Sequence, residues 1–256
     1  MKIISLVENT SSDPLYDCEH GLSLYIETDS HKILFDMGQS DLFYKNACKL
    51  GIDLSLCDIA VLSHGHYDHG GGLSTFLNIN TIATVYVSKH AFGIYHNGDK
   101  YIGLDASLKD YDRIIFVDDM LSIDENLTLY SCNDREKEFD LGSFSLSKKI
   151  DGVLFDDDFL HEQYLLINDR KKVLISGCSH KGILDITRWF SPDVLIGGFH
   201  FSKLKLDDTL KSYAAYLDSF DTEFYTCHCT GVEQYEFMCR YMRKLHYLST
   251  GMSIEV

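Results

Sequence analysis

Proline is nearly missing from this chain. Only Pro14 and Pro192 occur in 256 residues, so no proline-rich linker divides it, and neither an internal repeat nor a low-complexity tract is present. Basic residues are in deficit, 23 Lys+Arg against 39 Asp+Glu, giving a formal net charge of −16. That balance argues against nucleic-acid partners, because neutralising a phosphate backbone requires clustered Lys and Arg. Long apolar runs are also missing. Nothing approaches the ~20 residues that a membrane span requires, and the apolar stretch in Met1-Lys-Ile-Ile-Ser-Leu-Val7 is too short for a signal peptide. The eight cysteines include no C-x-x-C pair, which argues against an iron–sulfur cluster. With no export signal, reduced thiols and a cytoplasmic location are expected.

What is present is an ordinary soluble composition, 45% hydrophobic and 24% charged, in a length that suits one large domain or two small ones. Short β-rich apolar runs punctuate the chain at 2–7, 22–27, 32–35, 59–62, 84–87, 113–117, 127–130, 163–167, 172–175, 193–196, 223–226 and 245–248. Helical periodicity covers 41–50, 72–77, 181–190, 207–220 and 232–243. The first half is strand-rich and the second alternates strand and helix, a pattern that suits two mixed sheets packed face to face with helices outside.

The most informative string is Leu62-Ser-His-Gly-His-Tyr-Asp-His-Gly-Gly-Gly-Leu73. It places His64, His66, Asp68 and His69 within six positions, directly after an apolar run. No packing requirement asks for such a cluster, whereas imidazole nitrogen and carboxylate oxygen are the donors that borderline first-row metals prefer. The glycines behind it would let backbone approach the metal without Cβ obstruction. Further histidines recur at strand ends: His180 after Val173-Leu-Ile-Ser-Gly-Cys-Ser, His200 after Val194-Leu-Ile-Gly-Gly-Phe, and His228 after Phe224-Tyr-Thr-Cys. This recurrence implies convergence on one cavity. His161, in Asp156-Asp-Asp-Phe-Leu-His-Glu162, competes with His180 as a ligand, although charge runs are usually solvated faces. His31, His90, His96 and His246 have no supporting context and read as surface residues.

The string Ser63-His-Gly-His-Tyr-Asp-His69 resembles the H-x-H-x-D-H signature of the metallo-β-lactamase superfamily, and Leu34-Phe-Asp-Met-Gly38 resembles the strand that precedes it there. Glu19-His-Gly-Leu-Ser23, Ser176-Gly-Cys-Ser-His180, Gly197-Gly-Phe-His200 and His228-Cys-Thr-Gly231 narrow the resemblance to a branch of metal-dependent hydrolases that includes dihydropterin-methyl ribofuranosylaminobenzene-phosphate synthases. The resemblance implies an α+β four-layer αββα sandwich over residues 1–256, with a dinuclear site between two mixed sheets. It assigns His64, His66 and His180 to the first ion, and Asp68, His69 and His228 to the second. Asp36 would orient the ligand loop from behind, as outer carboxylates do, with His200, His20 and Glu19 near the substrate. The place of a bridging aspartate, after Gly177, is taken by Cys178, either a ligand in its own right or a small buried residue.

Two divalent ions can share a hydroxide and lower its pKa toward neutrality, with Asp68 accepting a hydrogen bond from it. The expected function is hydrolysis of an ester or phosphoester small molecule, anionic substrates included, because a cationic centre attracts anions locally. Zinc is the default metal, with iron and manganese as alternatives. A pterin and ribosyl-phosphate synthase, an iron oxidoreductase and a non-catalytic metal binder are the competing classes. The sequence specifies no oligomeric state.

Overall fold

Along each apolar strand, successive side chains go to opposite faces. In Lys32–Phe35, Ile33 and Phe35 join one buried cluster while Leu34 joins another; in Lys172–Ile175, Val173 and Ile175 join the first cluster while Leu174 joins a third. These strands are buried on both faces, which is why they read as continuous apolar runs rather than alternating ones. The computed structural model describes residues 1–256.

Two seven-stranded sheets result. In spatial order the first is Ser253–Glu255, Lys2–Val7, Ser23–Glu27, Lys32–Phe35, Ile59–Val61, Thr84–Ser88 and Ile114–Val117. The second is Leu245–Tyr247, Glu223–Thr226, Val194–Gly197, Lys172–Ile175, Tyr164–Asn168, Leu127–Tyr130 and Met120–Ser122. Each sheet is half antiparallel and half parallel. The parallel pairs join Lys32–Phe35 through to Ile114–Val117 in the first sheet, and Lys172–Ile175 through to Leu245–Tyr247 in the second.

The core between the sheets draws on both, with Ile3, Leu24, Phe35 and Val61 from one side and Leu129, Leu165, Ile175 and Ile196 from the other. Outside the first sheet, the helices Leu42–Lys49 and Leu73–Ile79 pack Phe43, Ala47, Phe76 and Leu77 against Leu34, Ala60 and Leu62. Outside the second, Ile183–Phe190, Asp208–Asp218 and Val232–Met238 pack Ile183, Ile186, Leu210, Leu217 and Met238 against Leu174, Leu195 and Phe224. The layers are therefore α, β, β, α, the sandwich expected from the sequence. The last helix is shorter than its periodicity over 232–243 suggests. The chain turns at Cys239 and by Leu245 is already paired in parallel with Phe224.

A third, four-stranded sheet was not anticipated: Val153–Asp156, Leu146–Ile150, Tyr95–Asn97 and Lys100–Tyr101. It overhangs the ends of the sandwich where the parallel strands finish. No helix is long and apolar enough to cross a membrane.

Candidate metal centre

Parallel strands deliver the candidate ligands at their C-terminal ends. Ile59–Val61 leads into His64, and His66 precedes the short helix Tyr67–Gly70, which carries Asp68 and His69. Lys172–Ile175 leads into Cys178 and His180, Val194–Gly197 into His200, and Glu223–Thr226 into His228. His64, His66, Asp68, His69, Cys178, His180 and His228 are all buried. His64, His69, Cys178, His180 and His228 meet at one place, with Asp68 beside His228.

The glycines near the cluster serve backbone contact rather than metal access. A Cβ on Gly72 would lie 2.2 Å from the carbonyl oxygen of Met37, so the run after His69 is kept small to admit the loop at 37–40. A Cβ on Gly177 would lie 2.1 Å from Ser63 Oγ, so the loop carrying Cys178 can press against the loop carrying His64 only with glycine there.

The hydrogen bonds fix which ring nitrogen faces the centre. Asp36, fully buried, accepts from the Ser63 backbone N–H at 2.7 Å on Oδ1, and on Oδ2 from Ser63 Oγ at 2.7 Å and His69 Nδ1 at 2.6 Å. His69 therefore carries its proton on Nδ1 and presents the Nε2 lone pair inward. Ser63 Oγ has one proton and gives it to Asp36, so at 2.8 Å it accepts from His64 Nδ1, and His64 too presents Nε2 as a lone pair. His228 Nδ1 donates to Asn9 Oδ1 at 2.8 Å, with the same consequence.

The inward nitrogens are close. His69 Nε2 and His228 Nε2 are 3.2 Å apart, and His64 Nε2 and His180 Nε2 are 3.3 Å apart. In the first pair both protons are committed elsewhere, so two lone pairs face one another. That arrangement is repulsive unless a cation lies between them. Two nitrogens at ~2.0–2.1 Å from one tetrahedral ion are ~3.3 Å apart, so the observed spacing fits a metal such as zinc. Asp68 Oδ2 is 3.4 Å from His228 Nε2 and 3.8 Å from His69 Nε2, on the same side as that pair. Cys178 Sγ lies 3.2 Å from His69 Nε2. His66 is less tightly gathered. Its ring centroid is 4.6 Å from that of His64 and 5.1 Å from that of His180, and its Nε2, 4.0 Å from Asp157, has no hydrogen-bond partner.

Protonation states agree with ligand duty. Burial, followed by the neighbouring imidazoles, holds His64 and His180 well below the ordinary histidine value, and brings His66 down to about 3. All three are neutral at physiological pH, as metal ligands must be. Burial would raise the Asp68 carboxyl, but His69, His20 and His228 outweigh it and keep Asp68 ionised. Burial, with Cys229 beside it, pushes the Cys178 thiol well up.

The remaining candidates separate by position. His161 has both nitrogens engaged: Nδ1 accepts from the Gly65 backbone N–H at 3.0 Å, and Nε2 donates to Asp157 Oδ2 at 3.1 Å. No lone pair is left, so it braces the His64–His66 loop instead of competing with His180. The acidic run around it divides: Asp156 and Asp158 are exposed, as a solvated face would be, whereas Asp157 and Glu162 turn inward and are buried. Glu19 spends its carboxylate on the Ser40 backbone N–H at 3.1 Å and Ser40 Oγ at 2.7 Å, a loop brace outside the cavity. His20 stands at the mouth, Nε2 at 3.2 Å from Asp68 Oδ2. His200 lines the cavity with its ring centroid 4.3 Å from that of His180.

Several supporting residues escaped the sequence reading. Buried Glu8 accepts from the His228 backbone N–H at 3.0 Å and from Tyr247 OH at 3.1 Å. Buried Glu162 accepts from the backbone N–H groups of His180 at 2.7 Å and Lys181 at 2.9 Å, and from Tyr164 OH at 2.6 Å. The available signal was position: Glu8 and Asn9 follow the first strand, and Ser63 and Glu162 adjoin apolar runs, where polar side chains reach the same end of the sandwich.

The centre opens into a cavity of about 260 Å³. The third sheet and its flanks supply Asn97, Lys100, Ile102 and Leu146 to its wall, and the loop after His200 supplies Ser202 and Lys203.

A four-layer αββα sandwich with a buried imidazole, carboxylate and thiol cluster at its strand ends defines a class of metal-centred proteins. A family model of the metallo-beta-lactamase superfamily matches residues 16–218, and the chain belongs to that superfamily. It superposes with a TM-score of 0.84 on the crystal structure of Tm1679, a metal-dependent hydrolase of the beta-lactamase superfamily, at 32% identity over 100% of this chain and 99% of that one. An uncharacterized protein of Methanocaldococcus jannaschii, MJ0448, is 31% identical over 235 residues, 88% of this chain and 89% of the relative. The 7,8-dihydropterin-6-methyl-4-(beta-D-ribofuranosyl)-aminobenzene-5'-phosphate synthase of the same organism is 25% identical over 284 residues, 100% of this chain and 96% of the relative.

Proposed function

We propose that the protein is a dinuclear, zinc-type hydrolase of a small anionic ester, phosphoesters foremost. The observation that carries this reading is the pair of imidazole pairs, His64 with His180 and His69 with His228, whose inward nitrogens stand 3.3 and 3.2 Å apart, with His180 and His228 lining one cavity and His64 and His69 fully buried behind them. His64, His66 and His180 would hold one ion, and Asp68, His69 and His228 the other. Such ions supply Lewis acidity and lower the pKa of water to near neutrality.

The chain's own residues do the rest. Asp36, Ser63 and Asn9 hold the imidazole protons on the outer nitrogens. His20, reaching Asp68 Oδ2 from the mouth, is placed to pass a proton to a leaving group. Lys100 and Lys203 are the cations on the cavity wall, and Asp68 is the one acid there. In a chain with net charge −16, that local inversion of sign favours an anionic substrate.

The test is a panel of p-nitrophenyl esters with the chelated and zinc-restored protein. Bis-p-nitrophenyl phosphate should be turned over and the activity lost with chelator. Lys100→Glu together with Lys203→Glu should raise KM for phosphate esters at least ~10-fold while changing kcat little, because removing charge at the mouth removes uniform binding. Equal loss on neutral carboxylic esters would remove the anionic part of the reading. A second reading rests on the 25% match to the dihydropterin synthase: the same centre activating a ribosyl-phosphate electrophile for condensation. Binding of a pterin to the zinc protein, with no phosphodiester turnover, would favour it.

A further inference from the structure

We propose that Cys178 bridges the two metal positions through its sulfur. The inference rests on the cavity being a metal centre, and concerns which atom joins its halves. Three donor triples that contain Cys178 have their ligand atoms within 4.8 Å of one another: His64, Cys178 and His180; His69, Cys178 and His228; and Cys178, His200 and Cys229, of which the first two hold the imidazole pairs of the two metal positions. They share one atom, Cys178 Sγ. No carboxylate does the same. Asp68 groups with His20 and His228, on one side only, and Asp157 groups with His66 and His161. Asp36 has its oxygens occupied by Ser63 and His69.

The local backbone is built to put the sulfur there. Gly177 lets the loop after Lys172–Ile175 close against Ser63, and Ser179 follows in the left-handed region at φ 56°. The Glu162 carboxylate then pins the His180 and Lys181 N–H groups. The sulfur ends up 3.2 Å from the inward lone pair of His69, which has no proton to offer it. On metal binding the S–H bond breaks, the proton leaves to solvent, and two sulfur–metal bonds form from separate lone pairs of the thiolate. A sulfur bridge makes both positions softer than a carboxylate bridge would, which favours zinc, cobalt or ferrous iron over manganese or magnesium.

Zinc X-ray absorption on the fully loaded protein decides the matter without reference to activity. A bridging sulfur touches both ions, so about one sulfur neighbour per zinc at ~2.3 Å is expected. A terminal thiolate would give about half of one, and either that result or no sulfur would overturn the proposal. Cys178→Asp should keep about two zinc ions per chain while losing the sulfur signal, and Cys229→Ser should keep both. If Cys178→Asp fails to fold, the sulfur count of the unmodified protein and of Cys229→Ser still decides. Loss of the sulfur signal in Cys229→Ser would overturn the assignment to Cys178. Zinc content is read independently: about two ions with no sulfur refutes the bridge alone, whereas a protein that takes up no zinc refutes both the bridge and the hydrolase reading.

Discussion

Asp36 is the residue on which both halves of the centre depend. Its Oδ2 fixes His69 directly and His64 through Ser63 Oγ, so one buried carboxylate sets the tautomer of a ligand in each imidazole pair. It holds this position with a φ of 59°, a conformation that costs a non-glycine residue of order ~1–3 kcal/mol and persists where the surroundings demand it. An amide in its place offers one acceptor atom to three donors and turns an NH2 toward the others. Asp36→Asn should therefore weaken zinc binding by ~10–100-fold, measured by competition with a chromophoric chelator. Ser63→Ala breaks only the branch to His64, and should loosen one ion while the other is retained. Equal loss of both ions in Ser63→Ala would mean that the two branches are not separate.

At the scale of elements, the second ligand loop is held by Glu162 rather than by any regular structure. Its carboxylate serves His180 N–H, Lys181 N–H and Tyr164 OH, all buried. Glu162→Ala leaves three buried donors without an acceptor, each costing ~1–3 kcal/mol. A fall in thermal midpoint together with loss of zinc is expected, and Glu162→Gln should be milder; an unchanged midpoint in Glu162→Ala would show that water replaces the carboxylate. Such loop anchors explain what was legible beforehand. Strands buried on both faces announce themselves as apolar runs, and ligands at their ends as histidines, so the sandwich and the positions of His64, His180 and His228 could be read directly. Glu8, Asn9 and Glu162 could not, because a carboxylate or amide beside a strand looks the same whether it faces solvent or a backbone N–H. The third sheet was hidden for the opposite reason. The side chains of Val153, Leu154 and Phe155 are exposed, and Leu146–Ile150 mixes Lys148 and Lys149 with apolar residues, so neither strand shows the burial pattern of a core. Only Asp151-Gly152 between them carried the hairpin signal.

Across the whole molecule, the end of the sandwich away from the metal centre is fastened by a titrating clasp. His31, in the turn between Ser23–Glu27 and Lys32–Phe35, reads from sequence as a surface residue. In the structure it is three-quarters buried, with Nδ1 at 2.5 Å from Asp58 and Nε2 at 2.8 Å from Asp124. Asp58 precedes the first-sheet strand Ile59–Val61, and Asp124 precedes the second-sheet strand Leu127–Tyr130, so the imidazole ties the two sheets together. Burial alone would lower its pKa, but the hydrogen bonds and charges of the two carboxylates prevail and leave it above 6.5. Burial would likewise raise Asp124, yet the Asn126 and Leu127 N–H groups and His31 bring it below 3.8. A histidine with a raised folded pKa contributes stability that is complete below its unfolded value and vanishes as pH climbs through the folded value. The Asp124 contribution is present above 3.8 and is lost as pH falls. The clasp is therefore strongest between about pH 4 and 6.5, and opens on the alkaline side as the imidazolium loses its proton. The difference in thermal midpoint between the unmodified protein and His31→Gln should be largest near pH 6 and shrink steadily toward about pH 9. Both proteins are compared in their chelated form, so that metal occupancy does not enter. A difference that stays constant across that range would show that His31 holds the sheets through packing and neutral hydrogen bonds, not through its charge.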